Sequence, residues 1–394
     1  MRQLPVAWQR WLVAAGLTAL AVTASACGTV PAGQTTSRPP APGSGQASTS
    51  SSAGAAIAYA ALLQDGTGYA VSASSVFRTG DNGAAWANVG PQLAAGFTIA
   101  ASDFGDPGPG LVVALSDRSA AAVIYTGSGA AWIRRTVQAT GESASASVVS
   151  PTHMWVAITA PNSVSQAPAS VIYASTDGGR RCIQVTATAP VALIRASNAT
   201  TLWGDGGPGL QALYRSINGG RTWRRVTLRV PPPAAAGQDL QTPGLPTFFG
   251  ETGVLPTGLY IGATNSVDFY VTHDGGSTWT PTTRLAESGF LDYGQGVSLP
   301  WEVIGPETWV VVVDHAMYFT QNAGRTWMAT AIPVSMPGVH LVSFQGLGSG
   351  LAVYSSENCT GAKGSASSCK LDHGVVRLTD FGRAETDAQP ISKP

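Results

Sequence analysis

A short polar corner recurs along this chain and constrains its fold more than any other feature. Copies read T-G-D-N-G-A-A-W (Thr79 to Trp86), S-T-D-G-G-R-R-C (Ser175 to Cys182), S-I-N-G-G-R-T-W (Ser216 to Trp223), T-H-D-G-G-S-T-W (Thr272 to Trp279) and T-Q-N-A-G-R-T-W (Thr320 to Trp327). Two weaker copies are T-G-S-G-A-A-W (Thr126 to Trp132) and L-T-D-F-G-R-A-E (Leu378 to Glu385). The acid-position residues, Asp81, Ser128, Asp177, Asn218, Asp274, Asn322 and Asp380, are 41 to 58 residues apart. Apolar alternating stretches separate the corners, and Tyr69, Trp155, Trp203, Tyr260 and Trp309 each open one of them. A unit near 50 residues with four short strands is a propeller blade. The expected fold is all-β: a seven-bladed β-propeller over residues 55–394, with four-stranded antiparallel blades. Within a blade the strands are A to D, and the corner joins C to D.

The corner's chemistry is local. The Asp or Asn side-chain oxygen accepts hydrogen bonds from backbone N–H groups of its own turn. The following Gly takes a conformation that a Cβ disfavours. The aromatic at the end (Trp86, Trp223, Trp279, Trp327) is expected to bury its ring under the hairpin, where such burial contributes a few kcal/mol. Cys182 stands in that slot in the third blade and reads as a small apolar filler. These acids, one per blade on one rim, are not a catalytic set, since carboxyl pairs that cleave glycosides face each other roughly 5–10 Å apart.

The corner resembles the Asp-box, or BNR, repeat. With an aromatic opening strand B, the blades are most similar to those of sortilin-type and photosystem II stability/assembly-factor propellers. That resemblance covers nearly all of 55–390 and implies a module that binds protein segments or helps assemble membrane complexes. The chain lacks what Asp-box sialidases carry: its first blade has no R-I-P motif, and Arg38-Pro39 lies upstream. Asp-box xyloglucanases use two propellers, and this chain has one.

Residues 1–26 read as an export signal: Arg2 and Arg10, an apolar run from Trp11 to Val22 too short to span a bilayer, then Ala24-Ser25-Ala26 before Cys27. This resembles a lipobox, with Ala24 where the pattern usually has Leu. It implies lipidation of Cys27 and anchoring at the extracytoplasmic face of the cell membrane. An ordinary signal-peptidase site at the same bond would give a secreted protein. Residues 27–54 form a Gly/Pro/Ser/Thr tether without apolar periodicity, whose coil reach is on the order of 30 Å. Cys359 and Cys369 flank a Gly/Ser-rich loop and are expected to pair in an oxidising compartment. A Cys27–Cys182 bond is the alternative fate of Cys27.

Lysine plus arginine and aspartate plus glutamate both number 22, so the whole-chain balance offers no basic footprint for nucleic acid. The five histidines are scattered singly, without metal-ligand spacing, and no cofactor motif is present. A monomer is expected. Long insertions fall on the face opposite the corners: B–C loops 160–170 and 356–374, and D–A loops 230–244 and 286–298. Loops gathered on one face of a rigid scaffold are where binding resides. Glu287, Phe290, Asp292 and Tyr293 are the candidate ligand contacts, or they pack their own loop. The function expected is a membrane-anchored binding or assembly module for a protein or glycan. A sialidase-like or glucan-cleaving hydrolase, needing two acids facing each other across the central funnel, and a lectin are the alternatives.

Overall fold

Each apolar stretch of the sequence becomes a strand, and seven times over the strands join into one antiparallel sheet. In this computed structural model the described residues are 57–63, 65–105, 109–128, 131–161, 166–229, 240–261, 264–282, 284–286, 301–313, 316–331, 339–360, 368–379 and 383–384. The signal, Cys27 and the tether lie outside them. Strands A to D of the first blade are Ile57–Leu62, Gly68–Ser72, Val76–Thr79 and Ala87–Asn88; those of the second are Thr98–Phe104, Gly110–Leu115, Ala121–Ser128 and Ala131–Gln138. The third has Ser143–Val148, Met154–Thr159, Ser170–Ser175 and Ile183–Ala189; the fourth Val191–Ala196, Leu202–Gly206, Ala212–Ser216 and Arg224–Val226. In the sixth they are Trp301–Val303, Trp309–Val313, Ala316–Thr320 and Met328–Ala331, and in the seventh Val339–Gly346, Ser349–Thr360, Ser368–Thr379 and Arg383–Ala384. The fifth is built on Thr252–Ile261 and Thr264–Thr272, with Leu240–Pro243 and Thr247–Phe249 on one side and Thr280–Pro281 and Leu285–Ala286 on the other.

The chain is thus a seven-bladed β-propeller. Strand B sits mid-sheet with a neighbouring blade on each face, which explains unbroken apolar runs such as Gly110–Leu115 and Trp309–Val313, buried at every position. Strand D is the outer edge and is largely exposed, as at Ala87–Asn88 and Arg224–Val226. The core is seven layers, each shared by two successive blades. Tyr69 and Val71 meet Val112 and Val123, for example, and Trp203 meets Leu255 and Tyr270. The seventh layer closes the ring: Leu351, Val353 and Val375 pack on Ile57, Ala60 and Phe77. Leu62 N–H donates to Ser343 Oγ across the same gap at 3.0 Å. Closure is by packing of the first blade on the seventh, whose described strands come from its own segment.

Five corners share one geometry. The Ser/Thr hydroxyl donates to the Asp/Asn Oδ1 two residues on, at 2.7–3.0 Å. The Gly N–H four residues after the hydroxyl donates back to that oxygen at 2.9–3.0 Å. The N–H of Ala85, Arg181, Thr222, Thr278 or Thr326 donates to Oδ1 at 2.9–3.0 Å. Each corner also donates one backbone N–H to the A–B hairpin of its own blade, as Gly275 does to Glu251 O at 3.0 Å. These bonds stabilise the anion, and the Asp274 carboxyl is held well below the usual range by Thr278 and then Thr272.

Several expectations need correction. In the second blade the described residues form no such corner: strands 121–128 and 131–138 pair as far as Ser128 opposite Ala131, and Thr126 donates instead to Gly178 O of the third blade. Asp380 lies outside the described residues. The corner tryptophans Trp86, Trp223, Trp279 and Trp327 are only half-buried, whereas Trp203 and Trp309 on strand B are fully buried. Two corner rings pack against these: Trp279 of the fifth blade meets Trp203 of the fourth edge-on, with centroids 5.6 Å apart, and Trp327 is tilted against Trp309 at 6.3 Å. Tyr260 does not open strand B; it stands near the opposite end of Thr252–Ile261. The expected loop 356–374 is mostly ribbon, with strands extending to Thr360 and from Ser368. Part of loop 230–244 is likewise a strand, Leu240–Pro243, paired to the long fifth-blade hairpin.

Candidate functional site

Strand A is the innermost strand of each blade, so its side chains line the central channel. Register assigns them to levels. In each blade one strand-B residue near the A–B hairpin faces the following blade: Tyr69, Leu111, Trp155, Trp203, Val254, Val310 and Leu351. Their pairing partners on the inner strands are Ala61, Asp103, Ser147, Arg195, Thr247, Glu302 and Ser343. Six of these seven positions are polar, in a ring near the corner end of the channel. Where the first blade offers only Ala61, Tyr59 stands two residues away on the same face.

Three members of the ring accept a hydrogen bond from the next blade. Val148 N–H donates to Asp103 Oδ2 at 2.7 Å, Ala196 N–H to Ser147 Oγ at 2.9 Å, and Leu62 N–H to Ser343 Oγ at 3.0 Å. Arg195 reverses the polarity, donating from Nη1 to Thr247 Oγ1 at 2.8 Å and to Leu245 O at 3.3 Å. No hydrogen bond to the Glu302 carboxyl is formed among the described residues.

Tyr59, Asp103, Arg195 and Glu302 form one electrostatic cluster. Tyr59, Asp103 and Glu302 are half-buried, so water screens them less than it would at the surface, while Arg195 is exposed. Burial pushes the Glu302 carboxyl up to about 7, with Arg195 opposing. Burial also raises Asp103, against the Val148 N–H and Arg195. Tyr59 is raised by burial, then by Asp103 and Glu302, and stays a phenol donor. Its ring lies 6.2 Å from Phe104, which stacks on Tyr69 at 4.1 Å. The arrangement offers hydrogen-bond donors (Tyr59, Arg195), acceptors and an aromatic wall.

Glu287, Phe290, Asp292 and Tyr293 lie outside the described residues. Cys359 and Cys369 are directly opposite one another in the seventh-blade hairpin register. Cys182 is buried in the layer between the second and third blades, among Leu111, Ile124 and Tyr173. Among the described residues no three His, Cys, Asp or Glu side chains converge as metal ligands would. Sequence reading missed Tyr59, Asp103, Arg195 and Glu302, which are about 45 to 107 residues apart and share no motif. Strand register, blade by blade, is the signal that unites them.

No protein-family model matches the chain, and no curated protein sequence does. Solved structures match in fold. A prolyl endopeptidase superposes with a TM-score of 0.52 at 9% identity, over 84% of this chain and 49% of that one. An ancestral GH74 enzyme gives 0.49 at 14% identity, over 84% and 48%. The six-bladed lectin of Aleuria aurantia, reported with a fucose recognition mode, gives 0.40 at 12% identity, over 71% and 95%. This chain spans about half the length of the first two.

Proposed function

We propose that this protein is a lipid-tethered, extracytoplasmic binding module of the Asp-box kind, taking a protein segment or a glycan at the propeller channel and its long-loop face. The observation that carries the reading is the ring: Glu302 brings to it an ionisable group that bonds to no described neighbour, and Arg195, tied by Nη1 to Thr247 of the fifth blade, stands exposed in the same cluster. A polar group left for a ligand is the ordinary signature of a binding cleft. The long B–C ribbons of the fifth and seventh blades build up the far face and support its part as a vestibule. Cys27 lipidation and the tether would keep the module at the membrane. The test is a glycan array together with crosslinking in intact cells, using wild type and an Arg195→Ala/Glu302→Gln variant. A ligand retained by wild type and lost by the variant is expected. Recovery of nothing specific, or equal recovery by both, would overturn the reading.

A second reading, glycoside hydrolysis, is favoured by one observation: the Glu302 carboxyl holds its proton to near neutrality, as a general acid must, with Asp103 in the same channel. Hydrolysis of aryl glycosides that disappears in Glu302→Gln would establish it, and inactivity of wild type across a glycoside panel would remove it.

A further inference from the structure

The chain's neutral total conceals a strong polarity. Residues 131–229 carry ten arginines against three acids, while the rest of the chain carries twelve basic residues against nineteen acidic. Eight of the ten arginines are exposed, and six of these, Arg134, Arg180, Arg181, Arg221, Arg224 and Arg225, lie along one edge. They occupy the corner turns of the third and fourth blades and the outer strands of the second and fourth. The blades abut at this edge. Arg135 Nε donates to Arg180 O at 2.8 Å, joining the second blade to the third. Val185 on the third blade's outer strand packs with Trp223 of the fourth. Among the described residues the ion pair is Arg284–Asp268, in the fifth blade; of the six, Arg181 acts on the Asp177 carboxylate of its own corner, and Arg221 donates from Nη1 to Asn218 O at 2.9 Å. Two of the three exposed large apolar side chains among the described residues lie in the same edge, Ile183 at 54% exposure and Ile217 at 69%. At the positions of Arg180 and Arg221 the first and fifth blades carry Ala84 and Ser277, so the feature is not a demand of the fold.

We infer that this basic edge, from the second to the fourth blade, docks on the anionic headgroups of the membrane that anchors the chain, with Ile217 entering the headgroup layer. The inference rests on the lipid-tethered reading above. Guanidinium groups engage phosphate oxygens in pairs. An exposed aliphatic tip amid cations suits an interface that is charged outside and apolar beneath. The tether is consistent with edge-on docking: the first strand begins at the long-loop face beside the axis, and a coil reach of roughly 30 Å covers the distance to the rim. Docked by its edge, the propeller leaves the channel open at both faces.

The experiment uses the full-length lipidated chain in vesicles of phosphatidylcholine, with or without phosphatidylglycerol. A benzophenone side chain is placed at Ile217 or, as control, at the equivalent His273 of the fifth blade. Flotation with the vesicles reads anchoring, and lipid adducts detected by mass spectrometry read docking. Adducts are expected at position 217 in the anionic vesicles alone. They should fall at least tenfold in Arg180→Glu/Arg181→Glu, since each arginine near such a surface accounts for about fivefold in binding, and fall similarly in 0.5 M salt. Equal adducts at 217 and 273, or indifference to lipid charge in a chain that floats, would overturn the docking and leave the tether intact. Failure to float would overturn the tethered reading itself. Protein adducts at 217 in place of lipid ones would overturn membrane docking in favour of a second copy, paired through the acidic sector.

Discussion

Two adjacent glycines of the fifth-blade corner separate the demands of the turn from those of inter-blade packing. Gly275 and Gly276 both have positive φ, +64° and +81°. At Gly275 a Cβ would meet Glu251 Oε2 at 2.6 Å, the end of a flexible side chain. Asn82 and Ala323 already occupy this position in the first and sixth blades, with φ of 58° and 57°. Gly275→Ala should therefore cost only the left-handed backbone term, about 1–2 kcal/mol. At Gly276 a Cβ would stand 2.3 and 2.5 Å from Cζ2 and Cη2 of Trp203. That indole is fully buried and flanked by Phe248 and Trp279, with Arg215 over its ring at 5.1 Å, so it has nowhere to retreat. Overpacking of this kind adds about 1–3 kcal/mol to the backbone term, and the upper end applies. Gly276→Ala should cost roughly 3–5 kcal/mol, at least about 2 more than its neighbour. Urea unfolding followed by tryptophan fluorescence measures both. Equal costs for the two alanines would refute the view that the second glycine is where one blade seats on the last.

Other consequences follow from the same structure. Trp203→Ala should lower stability by about 3–5 kcal/mol and Trp86→Ala, whose ring is half-buried, by clearly less; denaturant titration of both would show the reverse if the corner ring were the main anchor. Burial pushes Asp205 up to about 8, so the folded state holds this proton more tightly than the unfolded chain, and stability falls as pH rises from about 4 to about 8. Asp205→Asn should flatten that slope and melt above wild type at pH 8.5, with little gain at pH 4; parallel melting curves would exclude the assignment. Removing the one cation that opposes the rise at Glu302 should move that carboxyl further up from about 7, so an NMR titration of Arg195→Gln with labelled glutamate should show an upward shift, and no shift would uncouple the two. Intact-mass analysis after thiol alkylation of exported protein should leave Cys359 and Cys369 unmodified until reduction, as their register implies; full modification without reductant would disprove the bond.

The fold was legible because the corner is self-contained. The side-chain bonds that shape it all come from within one turn, so the pattern S/T-x-D/N-x-G marks all five corners in the sequence. The second blade shows the limit of that logic. Thr126 and Trp132 are spaced nearly as in a corner, but Thr126 bonds to Gly178 of the next blade, and that contact leaves no local trace. Of the aromatic landmarks, Tyr69, Trp155, Trp203 and Trp309 do stand at the start of strand B, though not all on one face. Trp309 stands one place earlier in its strand than Trp203, pairing with Thr320, and so turns towards the preceding blade, where it stacks on Phe269 at 4.8 Å. Tyr260 lies at the wrong end of a strand lengthened by its ribbon. The channel site was illegible because it is assembled one residue per blade. Irregular pairing recurs in the inner strands, between Ile57 and Tyr59, Ile99 and Ala101, Val191 and Leu193, and Val339 and Leu341. Such bulges shift the count that would align one blade with another. The basic edge could have been found by summing charge along the chain, and the neutral total hid it.

What separates a binding group from a structural one in this ring is the duty its position performs. The fold asks the inner strand at this level for an acceptor for the next blade's N–H, and a short hydroxyl suffices, as Ser147 and Ser343 show. Asp103 performs the same duty with one oxygen while carrying a charge the duty does not require, at a desolvation cost that raises its proton affinity. Arg195 cannot accept at all, and its Nη1 is instead tied to the fifth blade by Thr247. Glu302 could accept but bonds to no described neighbour, and holds an ionisable group in a poorly screened channel. Serine at either place would satisfy the scaffold at lower cost. Arg195 and Glu302 thus go beyond the acceptor that Ser147 and Ser343 supply at this level, and they are the residues on which the proposed binding reading is tested.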